Sequence, residues 1–440
     1  MNHKGRIRRL IGEGFWVAVG QVLTVLGSLF QVRVLTEYLE PAQYGELQIA
    51  LTISGLVTST LMASVAPGIT RYYSISTEKS DTSRYLEASK RLVIYASLVV
   101  LAVSIALSVM LFFADMSSWI LLGIVACGVG LFSSYSGTLG SIQNAARQRI
   151  VFVAHSVANA WLKIVFSVLL IIFFAKTSLS VALGFLISAF LVTVSQLYFL
   201  RALPGRNHDR PDGPPVENWS HSILQFSRPF FIWGIFGWMQ QSSSKWALGL
   251  FSSTDDVGLF SALFQLGYVP LSLVSTLLMT FVTPILYSRV GDAGNAQRVS
   301  DAIKSMSWLG GVLLVGVALA VGLADILKTS IFDFAVGEKY KIGASYLPIM
   351  VLAGGLFAVG LVVSSIPSAL NMPSKLLFAT IGSSILGITS SFVGAYFFSL
   401  DGAVYGLVIH SSSYLILCIW SVLKIMRSRS QLTTEANIND

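Results

Sequence analysis

Three cations, Arg33, Lys163 and Lys245, stand inside runs of apolar residues. No carboxylate lies deep in any such run, since Glu46, Asp325 and Asp401 all fall near run ends. Ionisable groups inside a membrane mark ion and substrate paths, and a set that is wholly basic points to an anionic substrate. Lys163 is the deepest. At about 1.5 Å per residue it sits about 18 Å from either end of its run, too far for a lysine to snorkel out. Facing lipid it would cost at least about 2.5 to 3.5 kcal/mol, so it requires a partner or water. Arg33 has two open readings, lining a pore or pairing with Glu37 one turn further on. Lys245 follows "WMQQSSS" (238–244), which contains Gln241 and reads as a distorted or cavity-lining helix segment.

Uncharged polar residues recur at helical spacing beside these cations. His155, Asn159, Lys163 and Ser167 follow one another every four residues and share a face. Ser261, Gln265, Tyr268, Ser272 and Ser275 alternate steps of four and three. Gln48, Thr52, Gly55 and Ser59 keep the same rhythm, and an offset of 213 places them on Ser261, Gln265, Tyr268 and Ser272. Within one residue, that offset also sets Arg33 against Lys245. A single Ser or Thr in such a place serves an interhelical hydrogen bond of about 0.6 kcal/mol. Several stripes repeated along the chain favour a water-accessible lumen, with these cations, amides, His155, Thr52 and Tyr268 as candidate substrate-binding residues. Other motifs are read as structural. Gly128, Gly130 and "GGLFAVG" (354–360) suit close helix packing rather than phosphate binding, and His410 has no supporting group. "NWS" (218–220) falls on the cytoplasmic side, and "KGRIRR" (4–9) is an orientation anchor.

The elements that position these residues are membrane helices. Hydrophobic residues make up 54% of the chain and charged ones 11%, with a mean hydropathy of +0.73, against about 25% charged in a soluble domain. The net charge of +8 lies mostly between apolar runs, where it orients helices rather than binding nucleic acid. Cys127 and Cys418 are inside apolar segments and read as packing residues, without disulfide or zinc site, and no cofactor is expected. Twelve runs approach the length of about 20 residues that a bilayer requires: 12–36, 44–67, 92–114, 118–142, 150–174, 180–201, 222–251, 257–287, 306–328, 344–370, 376–399 and 403–424. The first is too long for a signal peptide and is expected to remain a helix. Lys and Arg crowd the even-numbered connections and both ends, so both termini are expected in the cytoplasm.

The polar, Pro-rich stretch 201–222 divides the chain. The expected organisation is a six-helix lobe at 1–202, a cytoplasmic linker at 203–221, a second six-helix lobe at 222–424 and a tail at 425–440, disordered after Arg429. "SIQNAARQRIVF" (141–152) is similar to "SALNMPSKLLF" (368–378), and "SVALGFLIS" (180–188) to "GAVYGLVIH" (402–410). Six crossings per repeat give both halves one orientation. The fold class is all-α, a polytopic membrane protein with two lobes around a central cavity. Pro270, Pro284 and Pro348 are candidate bend sites.

The stretches "FWVAVGQVLTVLGSLFQVRVLTEYLEPAQYGELQIALT", "SGTLGSIQNAARQR", "GLFSALFQLGYVPLSLVSTLLMTFVTPILYSR" and "GEKYKIGASYLPIM" carry a family resemblance. The chain resembles the polysaccharide-unit (O-antigen/exopolysaccharide) flippases of the multidrug/oligosaccharidyl-lipid/polysaccharide exporter superfamily. The resemblance implies alternating access and transfer of a polyprenyl-pyrophosphate-linked oligosaccharide from the cytoplasmic to the periplasmic leaflet of the bacterial inner membrane. It implies a cationic lumen at Lys163, Lys245 and Arg33, no catalysis, and a cognate polysaccharide polymerase as partner. Peptidoglycan lipid flippases usually have two further helices, which are missing here. One rival, a multidrug or organic-cation antiporter of the same superfamily, requires a buried carboxylate. A second, a membrane glycan polymerase or ligase, requires a large periplasmic loop with catalytic Arg or His. A third is a scaffold in an envelope-assembly complex.

Overall fold

Lipid offers no hydrogen bonds to a bare amide or carbonyl, so each crossing must satisfy its backbone internally. Every element among the described residues is accordingly helical. The computed structural model describes residues 3–62, 65–79, 81–146, 148–200, 218–290, 296–370 and 372–439. Most of the expected linker, up to residue 217, lies outside them.

The first elements are α1 (His3–Tyr38), α2 (Pro41–Leu56), a π turn (Val57–Met62), α3 (Ala66–Glu78), α4 (Thr82–Phe113) and α5 (Ser118–Ala145). Next come α6 (Arg149–Phe173), α7 (Ser178–Leu200), α8 (Trp219–Phe251), α9 (Thr254–Leu263), a second π turn (Phe264–Tyr268) and α10 (Val269–Val290). The chain closes with α11 (Ala296–Ala335), a 3-10 segment (Glu338–Tyr346), α12 (Leu347–Ala369) and α13 (Pro373–Asn439). Ser399, at φ 49°, breaks α13 into arms 373–398 and 400–439. Taken as rods, with α2 and α3 forming one and α9 and α10 another, these follow the twelve apolar runs in order.

The ends differ from the runs for identifiable reasons. "TSRYLEASKR" extends α4 and "AQRVSDAIKS" extends α11 beyond their apolar centres, because neither contains Gly or Pro to stop a helix. The same holds after Arg429, where the polar composition predicts disorder but α13 continues to Asn439. Among the described residues, nine helices are long and apolar enough to cross a membrane, and one of these, Leu376–Arg427, contains both arms of α13. Neither α2 nor α3, each too short alone, nor α8, whose centre is polar, is among them.

The chain forms two compact units, Met1–Trp238 and Met239–Asp440, with the boundary inside α8. In the first, α5 packs against α2, α3, α4 and α7, while α6 lies on α1 and α7. In the second, α12 packs against α10, α11 and α13. Only 6% of the apolar window of α4 is buried, against 61% for the span that contains α12. The first therefore presents Leu98, Leu101, Ile105 and Phe112 outward as a lipid-facing helix would, and the second forms a core.

The repeat read from sequence is present as geometry. A Cβ on Gly184 of α7 would stand 2.6 Å from the Ser167 amide of α6. A Cβ on Gly406 of the second α13 arm would stand 2.9 Å from that of Ser391 on the first. Beside these contacts Ser188 Oγ donates to the Asn159 carbonyl at 3.3 Å, and His410 Nδ1 lies 3.0 Å from the Ser383 carbonyl. One offset, 224, takes Asn159 to Ser383 and Ser167 to Ser391, while 222 takes Gly184 to Gly406 and Ser188 to His410. The π turns are repeated too, in the second and eighth rods, each followed by a proline, Pro67 or Pro270. A wider turn is one way a membrane helix re-satisfies the carbonyl that a proline leaves bare.

The seams should be sensitive to side-chain volume. Gly184→Leu and Gly406→Leu are each expected to destabilise the detergent-solubilised protein by about 1 to 3 kcal/mol, read as a lowered Tm. Gly316→Ala, with no atom near its notional Cβ, is expected to leave Tm unchanged or raise it.

Candidate functional site

The α6 stripe faces α7, and each member finds something there. His155 places Nδ1 2.7 Å from the Val151 carbonyl and Nε2 3.0 Å from Ser195 Oγ. Asn159 accepts from Ser188 Oγ at 3.4 Å on its side-chain oxygen. Ser167, fully buried, donates to the Val181 carbonyl at 3.4 Å. The partners Val181, Phe185, Ser188 and Ser195 recur at intervals that keep them on one face of α7. Lys163 alone makes neither hydrogen bond nor ion pair among the described residues. The residue is half-buried, and its ammonium lies 5.4 Å from the centroid of the Phe185 ring, an attraction of about 2 kcal/mol when desolvated. A ring face does not neutralise a charge, so Lys163 keeps its capacity to attract an anion.

Gln48 and Thr52 are buried on α2. Thr52 Oγ1 donates to the Ile49 carbonyl at 2.6 Å, and its own carbonyl accepts from Trp238 Nε1 at 2.7 Å. Trp238 lies over Gly55 of the same stripe, a contact that no sequence spacing indicated. Arg33 pairs with Glu37 at 3.0 Å, both side chains open to the surface. Of its two readings, the structure displays the pair.

In the second unit Lys245 is half-buried on α8, after the buried trio Ser242, Ser243 and Ser244. Ser244 Oγ lies 3.0 Å from Ser391 Oγ, fixing α8 to the first arm of α13. Gln241 is exposed. Gln265 is half-buried inside the second π turn, and Tyr268 closes that turn, buried and stacked on Phe264 at 4.6 Å. A π insertion rotates the downstream part of a helix by about 100°. Ser272 and Ser275 therefore leave the face of Ser261 that regular spacing assigned them to.

The carboxylate that sequence reading missed is Asp81. It lies between α3 and α4, fully buried, and its Oδ2 accepts from Trp219 Nε1 at 2.8 Å. Its position at a helix junction in "KSDTSR" made it look like an ordinary loop residue.

The architecture is shared with known transporters. The "Lipid II flippase MurJ" in an inward closed conformation superposes with a TM-score of 0.66 at 14% identity, covering 92% of this chain and 87% of that one. An inward-facing multidrug resistance MATE family transporter of the MOP superfamily gives 0.62 at 16% identity, covering 93% and 96%. A mutant of the Vibrio cholerae MATE transporter VcmN gives 0.60 at 13%, covering 96% and 97%. Identities this low establish the fold alone, that of a two-lobed polytopic membrane protein. Among curated proteins no sequence matches. The profile described as "Polysaccharide biosynthesis protein" matches residues 10–290, more than half of the 440, and the chain belongs to that family.

Proposed function

We propose that the protein is a bacterial inner-membrane flippase, with both termini cytoplasmic, that moves a polyprenyl-pyrophosphate-linked oligosaccharide to the periplasmic leaflet by alternating access. The observation that carries this reading is Lys163. An ammonium set against the Phe185 ring, with neither hydrogen bond nor ion pair among the described residues, is suited to the pyrophosphate or an acidic sugar, and the family places the chain in polysaccharide biosynthesis. Lys245 offers a second half-buried ammonium in the other unit, and Gln241 and Gln265 offer amides to sugar hydroxyls. His155 and Asn159 act in this reading as the α6–α7 frame that holds Lys163 in place, while buried Gln48, Thr52 and Tyr268 shape the helices around the path. The partners are the lipid-linked glycan, the bilayer and a cognate polymerase that consumes the delivered unit as O-antigen or exopolysaccharide. The protein performs no bond-making chemistry in this reading.

A cation antiporter of the MATE kind is the second reading, favoured by the shared fold. Such exchange uses a buried carboxylate. Among the described residues Asp81 is the one carboxylate in the buried class, and it sits at a helix junction rather than within a span.

The test is the sidedness of a radiolabelled polyprenyl-pyrophosphate oligosaccharide in proteoliposomes. Wild type is expected to move it, and Lys163→Ala to lower the rate about tenfold or more, with Lys163→Arg retaining most of it. Wild type that moves no glycan lipid but exports a cationic dye would establish the antiporter reading instead. Arg33→Gln is expected to change the rate less than about fivefold, because a surface pair contributes about 0 to 1 kcal/mol. A loss as large as that of Lys163→Ala would return Arg33 to the path.

A further inference from the structure

Asp81 and Trp219 form a contact that the transport reading leaves unused. Trp219 is the first residue of α8, the helix that opens the second half of the chain, yet up to Trp238 that helix belongs to the first unit. Its face Trp219, Ile223 and Ser227 is seated on α3, α4 and α5. Trp219 and Ile223 cluster with Ile69, Tyr85 and Ile142, and Ser227 Oγ and the Ile223 carbonyl lie against Gly68. Tyr85 and Tyr72 meet the indole edge to face at 6.0 and 6.1 Å. The Lys79 ammonium stands 5.6 Å from the same ring, and Arg71 lies 4.6 Å from the Phe226 ring.

Packing of this kind needs no buried charge, but the seat encloses a carboxylate. Asp81 is 0% exposed, and its Oδ2 holds the Trp219 N–H. Its Oδ1 is buried and accepts no hydrogen bond among the described residues. Arg84 Nε forms an ion pair with Oδ1 at 3.9 Å, beyond hydrogen-bond distance. A buried carboxylate with one oxygen unsatisfied is destabilising as long as the seat stays closed. Lifting Trp219 out would admit water to both oxygens, with the Arg84 ion pair still beside them. The closed arrangement thus combines favourable aromatic packing with a polar penalty that opening relieves, as a contact poised between two states requires.

We propose that the Asp81–Trp219 contact is a latch, closed in this structure and opened in another state of the transport cycle, that ties the start of α8 to the first unit. The inference rests on the alternating-access reading but not on the identity of the substrate.

The test uses Ser227→Cys, buried in the seat, in a full-length background with Cys127 and Cys418 replaced by alanine, labelled with a membrane-impermeant maleimide in nanodiscs. Labelling is expected to be slow in this parent. Trp219→Phe keeps the ring but removes the donor, leaving the carboxylate with no hydrogen bond among the described residues, and is expected to accelerate labelling about tenfold. Adding Asp81→Leu to Trp219→Phe removes the charge, and labelling is expected to return to the parent rate or below, with transport slowed because the seat no longer opens. The rescue separates a latch from a misfolded variant. If Trp219→Phe labels like the parent, or if both variants label equally fast, the seat is packing alone and the proposal fails. A double variant that labels slowly but transports at the parent rate also overturns it. Labelling needs no substrate, so a wrong choice of glycan would appear in the transport assay while leaving the labelling series unchanged.

Discussion

A glycine on one helix set against the serine backbone of its neighbour is the contact on which both units depend. Between helices already surrounded by lipid, burying apolar area gains little, because acyl chains are as apolar as leucine. Dispersion and hydrogen bonding at close range must supply the attraction, and both require backbones to approach. Gly184 against Ser167 and Gly406 against Ser391 provide that approach, and the polar residues next to each pair then reach across. Both halves carry this pattern because few other side chains fit so close an approach.

Close seams also decide what becomes of polar residues. On α6 the same approach that brings Ser167 to Gly184 brings His155 to Ser195 and Asn159 to Ser188, and these groups are satisfied within the protein. Lys163 occupies the same face but meets Phe185. A stripe of four polar residues therefore divides into three that hold helices together and one that makes neither hydrogen bond nor ion pair among the described residues. The frame and the charge belong to one surface, so the seam fixes the backbone from which the lysine extends.

Much of the architecture was legible in the sequence. Apolar run length gave twelve rods in order, and the resemblance of 180–188 to 402–410 reappears as matching contacts at Gly184 and Gly406. Helix ends were less legible, because amphipathic turns such as "AQRVSDAIKS" continue a helix without adding hydropathy. The candidate site was legible in residue type more than in direction. Periodicity placed His155, Asn159, Lys163 and Ser167 on one face but could not tell a lumen from a neighbouring helix, since both reward polar groups. The π turns broke the regular phase on which the stripes through Ser59 and Ser272 relied. Asp81 was invisible for a different reason, since its burial comes from α8, which lies 138 residues further along.

The connection between α6 and α7 spans only residues 174–177, which bears on how the chain enters the bilayer during synthesis. Alone, α6 would present His155, Asn159 and Lys163 to acyl chains, and the lysine by itself would cost about 2.5 to 3.5 kcal/mol to insert. With so short a tether, α7 follows within a few residues and covers that face as the pair leaves the translocon. The two arms of α13, reversed at Ser399, present His410 and Ser383 to each other in the same manner. The last two helices of each half are therefore arranged to integrate as hairpins, with Lys163 entering beside its aromatic neighbour on α7.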